Sequence, residues 1–105
     1  MFKNYKKIKT PIKGRGNYTL WVADTDDKKS QGLRGVRQLP KRFGMIFPYT
    51  SDVEHSFTMV GVRFPIYIIF LDKNFNILKT VKARPGERSI SCGMKYRNVI
   101  EIPVY

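Results

Sequence analysis

From Phe64 to Leu71 the chain reads Phe-Pro-Ile-Tyr-Ile-Ile-Phe-Leu, with no polar side chain except the Tyr67 hydroxyl. Such a run is far too short to cross a membrane as a helix. It suits a strand covered on both faces. Asp72-Lys73-Asn74-Phe75-Asn76 follows, rich in the residues that form turns, and Ile77 to Ala83 then returns as a second strand. The two strands predict a hairpin in the interior of a sheet.

The rest of the chain supplies shorter pieces. Residues 17–24 alternate, with Tyr18, Leu20 and Val22 on one face and Thr19, Trp21 and Ala23 on the other, which predicts a strand. Thr25 is placed to cap a short helix over Asp26–Gln31. Its acids suit the first turn and Gly32 suits the stop, with Leu33 packing the helix end down. Gly44-Met45-Ile46-Phe47 predicts a short strand closed by Pro48. Residues 54–60 alternate with His55, Phe57 and Met59 on one face, which predicts another. Residues 84–97 hold Pro85, Gly86, Ser89, Ser91 and Gly93 and read as a long loop. Asn98 to Tyr105 reads as a closing strand, with Pro103 placing its end at an edge. Residues 1–16 read as an extended basic arm, with one weak strand signal near Tyr5–Lys9, ahead of a single domain over 17–105. Five or six strands with one helix are too few helices for a doubly wound sheet. The expected fold is β-rich (α+β by strict count), a small, mostly antiparallel, barrel-like sheet whose closure removes its edges.

Composition supports a packed core. Seven Phe, six Tyr and one Trp in 105 residues are too many for a disordered basic chain. One cysteine, Cys92, excludes an internal disulfide and reads as a small buried thiol. Cys92 and His55 together are too few ligands for structural zinc, and no cofactor is implied. Asp24, Asp26 and Asp27 fail as a calcium loop, because Ser30 is neutral, Lys28 and Lys29 crowd the site, and no glutamate follows at the right distance. Gly14-Arg15-Gly16 matches no phosphate-binding fingerprint and reads as a hinge. The basic start lacks the apolar stretch of a signal peptide, so a cytoplasmic setting is expected.

The net charge of +12 is uneven. Residues 1–15 carry +6 and residues 73–97 carry another +6, while residues 16–72 are close to neutral at +1 and residues 98–105 carry −1. Lys6, Lys7, Lys9, Lys13 and Arg15 in the first segment, and Lys79, Lys82, Arg84, Arg88, Lys95 and Arg97 in the second, are therefore the candidate anion contacts. Segments like these attract phosphate backbones or acidic protein faces. Tyr5, Tyr18, Phe75 and Tyr96 lie among them as candidate stacking platforms. A binding or accessory module for nucleic acid or an acidic protein is the leading expectation. A small enzyme with a site near His55 and Asp72 is a rival, and so is an adaptor using an apolar rim of Phe43, Phe47 and Phe64. His55 is the sole histidine and the natural acid–base candidate. Turn chemistry already explains Asp72, and capping explains Asp24 and Thr25. Glu101 alternates with apolar neighbours and is expected to face water or pair with an arginine.

The run Ala23-Asp24-Thr25, Gly32-Leu33, Leu39-Pro40 and Gly44-Met45-Ile46-Phe47 resembles the Domain of Unknown Function 192 family. So do His55-Ser56-Phe57, Met59, Pro65 and Ile69-Phe70-Leu71-Asp72, and Val99-Ile100-Glu101-Ile102 resembles its closing strand. The likeness covers roughly residues 20–102. It implies a compact β-rich, barrel-like domain of unestablished function. The chain departs from the family pattern at Thr58, where a tryptophan is usual, at Val60-Gly61, where Lys-Asn is usual, and at Tyr67, where an acid is usual. The resemblance makes those polar positions the family's candidate site, which this chain has lost.

Overall fold

A computed structural model describes residues 2–105. Along it run β1 (Lys6–Ile12), β2 (Gly16–Val22), α1 (Asp26–Gln31), β3 (Phe43–Val53), β4 (Ile66–Leu71), β5 (Ile77–Ala83) and β6 (Tyr96–Pro103). The six strands form one sheet in the order β1-β2-β3-β6-β4-β5. Every pairing is antiparallel except β2 with β3. That parallel pair needs a crossover, and the segment carrying α1 supplies it. Thr25 Oγ1 accepts from the Lys28 amide at 3.2 Å, and the Gly32 amide donates to the Lys28 carbonyl from φ +49°. The helix is thus capped as its sequence predicts, and the buried Leu33 follows it.

The β-rich class with one short helix is as expected. The apolar run forms β4, and β5 returns beside it through the expected hairpin. Apolar side chains cover both faces of the sheet. Ile100 and Ile102 of β6 join Ile12, Leu20, Ile46, Ile69 and Leu71 on one face. Tyr96 and Val99 join Met45, Phe47, Ile66, Ile68 and Phe70 on the other, under α1 and the loops. Gly44 lets three strands close up. A Cβ there would collide with the Glu101 carbonyl and lie 2.7 Å from Ile102 Cγ2 and 3.2 Å from Leu20 Cδ2.

Five expectations change. The sheet curls without closing: the end of β1 and the β4–β5 turn line opposite sides of one groove, yet β1 and β5 share no ladder. Pro11 has no N–H to offer across that gap. Of the basic segment 1–16, residue 1 lies outside the described residues, and Lys6–Ile12 is a strand paired with β2. Its lysines point to water, as edge strands favour, while Ile12 turns into the core. Pro48 does not close β3, which runs on to Val53 through an irregular register against β6, so the missing amide falls where the ladder is already interrupted. Residues 54–60 are not a regular strand. Phe57 bridges Ile90, and the Met59 amide donates to the Glu87 carbonyl at 2.7 Å, so the 84–97 loop satisfies this backbone instead of a ladder. Finally, β6 sits inside the sheet between β3 and β4, and Pro103 ends it there without marking an edge.

Candidate anion-binding face and a buried acid

The two basic segments meet at Tyr67. The Arg15 guanidinium, in the β1–β2 turn, lies 4.1 Å from the centre of the Tyr67 ring. Lys82 is the direct cross-strand partner of Tyr67 in β5, so both side chains stand on the same face. Arg42 completes the arrangement: its Nη1 donates to the Arg15 carbonyl at 3.0 Å, passing over Gly16. Arg15, Lys41 and Arg42 line a hollow of about 380 Å³ with Gly14, Tyr18, Pro103 and Tyr105. No Asp or Glu side chain is among that lining. Lys41 and Arg42 were not singled out by the charge map, because they sit in the nearly neutral stretch. Only the positive φ of Arg42 (+62°) and its reach to the β1–β2 turn bring them to the site.

The other candidate cations disperse. Lys6, Lys7, Lys9 and Lys13 are exposed along or just beyond β1. Lys79 stands opposite Phe70, on the face away from Lys82, and its Nζ reaches the Ser91 carbonyl at 3.5 Å. Arg97 pairs with Asp52, Nε to Oδ1, at 3.0 Å. Arg84, Arg88 and Lys95 are exposed in the loop that crosses the face under α1. Of the proposed stacking residues, Tyr18 lines the cationic hollow and Phe75 is exposed on its turn. Tyr5 lies beneath Lys28, whose Nζ is 5.0 Å from the ring centre. Tyr96 is a correction: it is buried in the core, donating its hydroxyl to the His55 carbonyl at 2.7 Å.

Glu101 also departs from expectation. It neither faces water nor pairs with an arginine. It is 5% exposed, and its neighbours across the ladders are Met45 on one side and Ile68 on the other. Burial pushes its carboxyl up to about 8, with no compensating charge or hydrogen bond. Glu101 lines a cleft of about 240 Å³ beneath the end of α1, together with Lys29, Arg34, Tyr49, Ser56 and Thr58. Burial first, then the nearby Glu101 and Asp26, push the Tyr49 hydroxyl up to about 12. The one sequence signal for this site is a single acid inside an otherwise apolar strand.

The DUF192 family model, described as "Uncharacterized ACR", matches residues 8–104. The chain belongs to this family. The DUF192 match therefore begins within β1, so the basic edge strand is largely part of the family unit. A crystal structure of a candidate transcription regulator from Sinorhizobium meliloti 1021 is similar at TM-score 0.87 and 22% identity, over 95% of this chain and 82% of that one. A protein of unknown function from Novosphingobium aromaticivorans DSM 12444 is similar at TM-score 0.79 and 20% identity, over 94% and 73%. At these identities the likeness is one of fold. None of the curated proteins matches the chain. No helix among the described residues is long and apolar enough to cross a membrane.

The DUF192-like motif positions divide between support and site. Gly32, Leu33, Phe47, Phe57 and Glu101 line the cleft. Met45, Met59 and Phe70 are fully buried behind it. Asp24 pairs with Lys28 at 3.4 Å, and that partner holds its carboxyl below the usual range. Asp72 accepts from the amides of Asn74 and Asn76 at 2.9 Å and from Asn76 Nδ2 at 3.0 Å, bonds that hold its carboxyl low. The Val104 amide donates to the Pro65 carbonyl at 3.1 Å, tying the chain end to the start of β4. Among the described residues, no hydrogen bond or ion pair joins Asp72 to His55, whose exposed ring lies 5.6 Å from that of Tyr49. The departures from the family pattern separate too. Thr58 lines the cleft, whereas Tyr67 faces the opposite side of the sheet under Arg15. The expected rim of Phe43, Phe47 and Phe64 does not form. Phe47 is buried and Phe43 is half-buried, with its ring centre 5.2 Å from that of Trp21.

Proposed function

We propose that this DUF192 protein is a cytoplasmic, non-catalytic binding module for an anionic partner, engaged through Arg15, Lys41, Arg42 and Lys82 around Tyr67. The observation that carries the reading is that Arg15, from the β1–β2 turn, lies over the ring of Tyr67, whose cross-strand partner in β5 is Lys82. A nucleic acid is the partner whose chemistry fits best. Guanidinium and ammonium groups neutralise phosphates, and Tyr18 beside them offers a ring on which an unpaired base stacks. Contacts of this kind position a strand without reading its sequence. The name of the Sinorhizobium relative points the same way, although that likeness extends to fold alone.

Fluorescence anisotropy with labelled single-stranded and duplex oligonucleotides tests the reading. If about four phosphates are contacted, log affinity falls against log salt with a slope of about −3 to −3.5. Charge reversal at Arg15 and Lys41 together abolishes most of the binding, whereas Lys79→Glu, on the other face, leaves more of it. A flat salt response, or equal loss in all these variants, overturns the proposal.

A further inference from the structure

Glu101 poses a separate problem from the basic face. A buried carboxyl without a partner costs stability, and an apolar side chain of similar size is the more stable choice inside a sheet. No hydrogen bond or ion pair engages this one among the described residues, and burial is the sole cause of its shift. Its packing neighbours Met45 and Ile68 do nothing for a polar group. It is not sealed in, however, because it lines the cleft under α1. An acid that stabilises nothing around it and borders a cleft open to solvent has the properties of a recognition group.

The surroundings define what it recognises. The cleft continues into a second hollow of about 390 Å³ that shares Arg34, Ser56, Phe57 and Thr58 with it and adds Arg88. Arg34 is therefore common to both spaces. Its stem packs over Gly61, and no carboxylate of the protein pairs with its guanidinium among the described residues. A free guanidinium presents the planar fork that grips a carboxylate bidentately. The hydroxyls of Ser56 and Thr58 add adaptable donors and acceptors. With its proton on, the Glu101 carboxyl offers one O–H donor toward the cleft.

We propose that the cleft bordered by Glu101 is a binding site for a small oxo- or hydroxy-carboxylic acid, its carboxylate on Arg34 and its second oxygen on the Glu101 carboxyl. The ligand is anionic, so Glu101 must be neutral when it binds. Affinity therefore falls as pH rises through the range in which Glu101 loses its proton. The charged or titratable groups that face Glu101 are Tyr49 from β3, Lys29 from α1 and Arg34 from the turn after it, with His55 beyond the Tyr49 ring.

The test is an NMR titration of the full-length protein with pyruvate as the oxo-acid probe and acetate as the probe lacking the second oxygen. Pyruvate gives saturable shifts at the Gly32, Thr58 and Glu101 amides and binds more tightly than acetate. Arg34→Gln loses saturation. Wild-type affinity drops about tenfold or more between about pH 6 and pH 9, and Glu101→Gln, which stays neutral and keeps His55, shows no such drop. Glu101→Gln also fills the same space without a charge, so its fold is retained and its amide shifts report on the same cleft. No saturable shift with pyruvate, equal binding of acetate, unchanged binding in Arg34→Gln, or the same pH response in Glu101→Gln each overturns the proposal.

Discussion

The Arg15 guanidinium lies 4.1 Å from the centre of the Tyr67 ring, although the β1–β2 turn and β4 are separated across the sheet by β3 and β6. Only a strongly curled sheet brings them together. The contact joins a residue of the basic amino-terminal segment to one of the apolar run, whose cross-strand partner is Lys82.

A double-mutant cycle with Arg15→Ala and Tyr67→Leu measures this contact. A half-exposed cation over an aromatic ring predicts a coupling of about 0.5–1 kcal/mol in urea denaturation at low salt. Coupling near zero means that the two groups do not meet in solution.

Gly44→Ala is expected to be among the most damaging single-methyl additions in the chain. The new Cβ meets the Glu101 carbonyl and the Ile102 and Leu20 side chains from two flanking strands. Backbone is the least able of these to move, so overpacking costs about 3 kcal/mol or more. A thermal melt reads this as a fall of ten degrees or more, since about 1 kcal/mol shifts the midpoint of a domain this size by roughly 4 °C or more. A melting temperature close to that of the wild type is the outcome that contradicts the close approach.

Glu101 sets a pH dependence of stability. The carboxyl is pushed up from 4.5 to about 8 in the folded chain. Below its unfolded value both states are protonated and it contributes nothing. As pH rises between the two values, the unfolded chain releases its proton while the folded chain keeps it, so stability falls. The slope reaches about 1 kcal/mol per pH unit and levels off above the folded value. Urea denaturation at several pH values should therefore show Glu101→Gln gaining on the wild type from acid to mildly alkaline conditions. A constant difference between the two proteins would show that Glu101 is already ionised when folded.

Local chemistry was the legible part of this fold. Thr25 and Gly32 announce α1 by their capping chemistry, and Asp72 with Asn74 and Asn76 announces the β4–β5 turn, because each acts within a few residues of itself. The strand Lys6–Ile12 showed only as the weak signal near Tyr5–Lys9, because of its own exposure. At an edge, lysines occupy positions that the core would otherwise fill, so the alternation that marks a strand is lost. Residues 54–60 misled in the opposite sense. Their alternation is real, with Phe57 and Met59 inward, but their backbone partners lie in the 84–97 loop.

The candidate sites were legible in part. The charge map picked out Arg15 and Lys82 and missed Lys41 and Arg42, which reach the same place only through the curl of the sheet and a side chain crossing Gly16. Glu101 was visible as an acid among apolar residues. Its burial follows from the central position of β6, and no local pattern distinguishes an inner strand of this kind from an outer one.

That central position has a consequence during synthesis. β6 is the last of these six strands to be made, and it alone joins β1-β2-β3 to β4-β5. Until it emerges, β3 and β4 each lack the strand that pairs along one of their sides. Folding must then await a pairing that spans most of the chain, so it belongs to the slower, milliseconds-to-seconds class, with these open edges exposed to neighbouring chains in the interval.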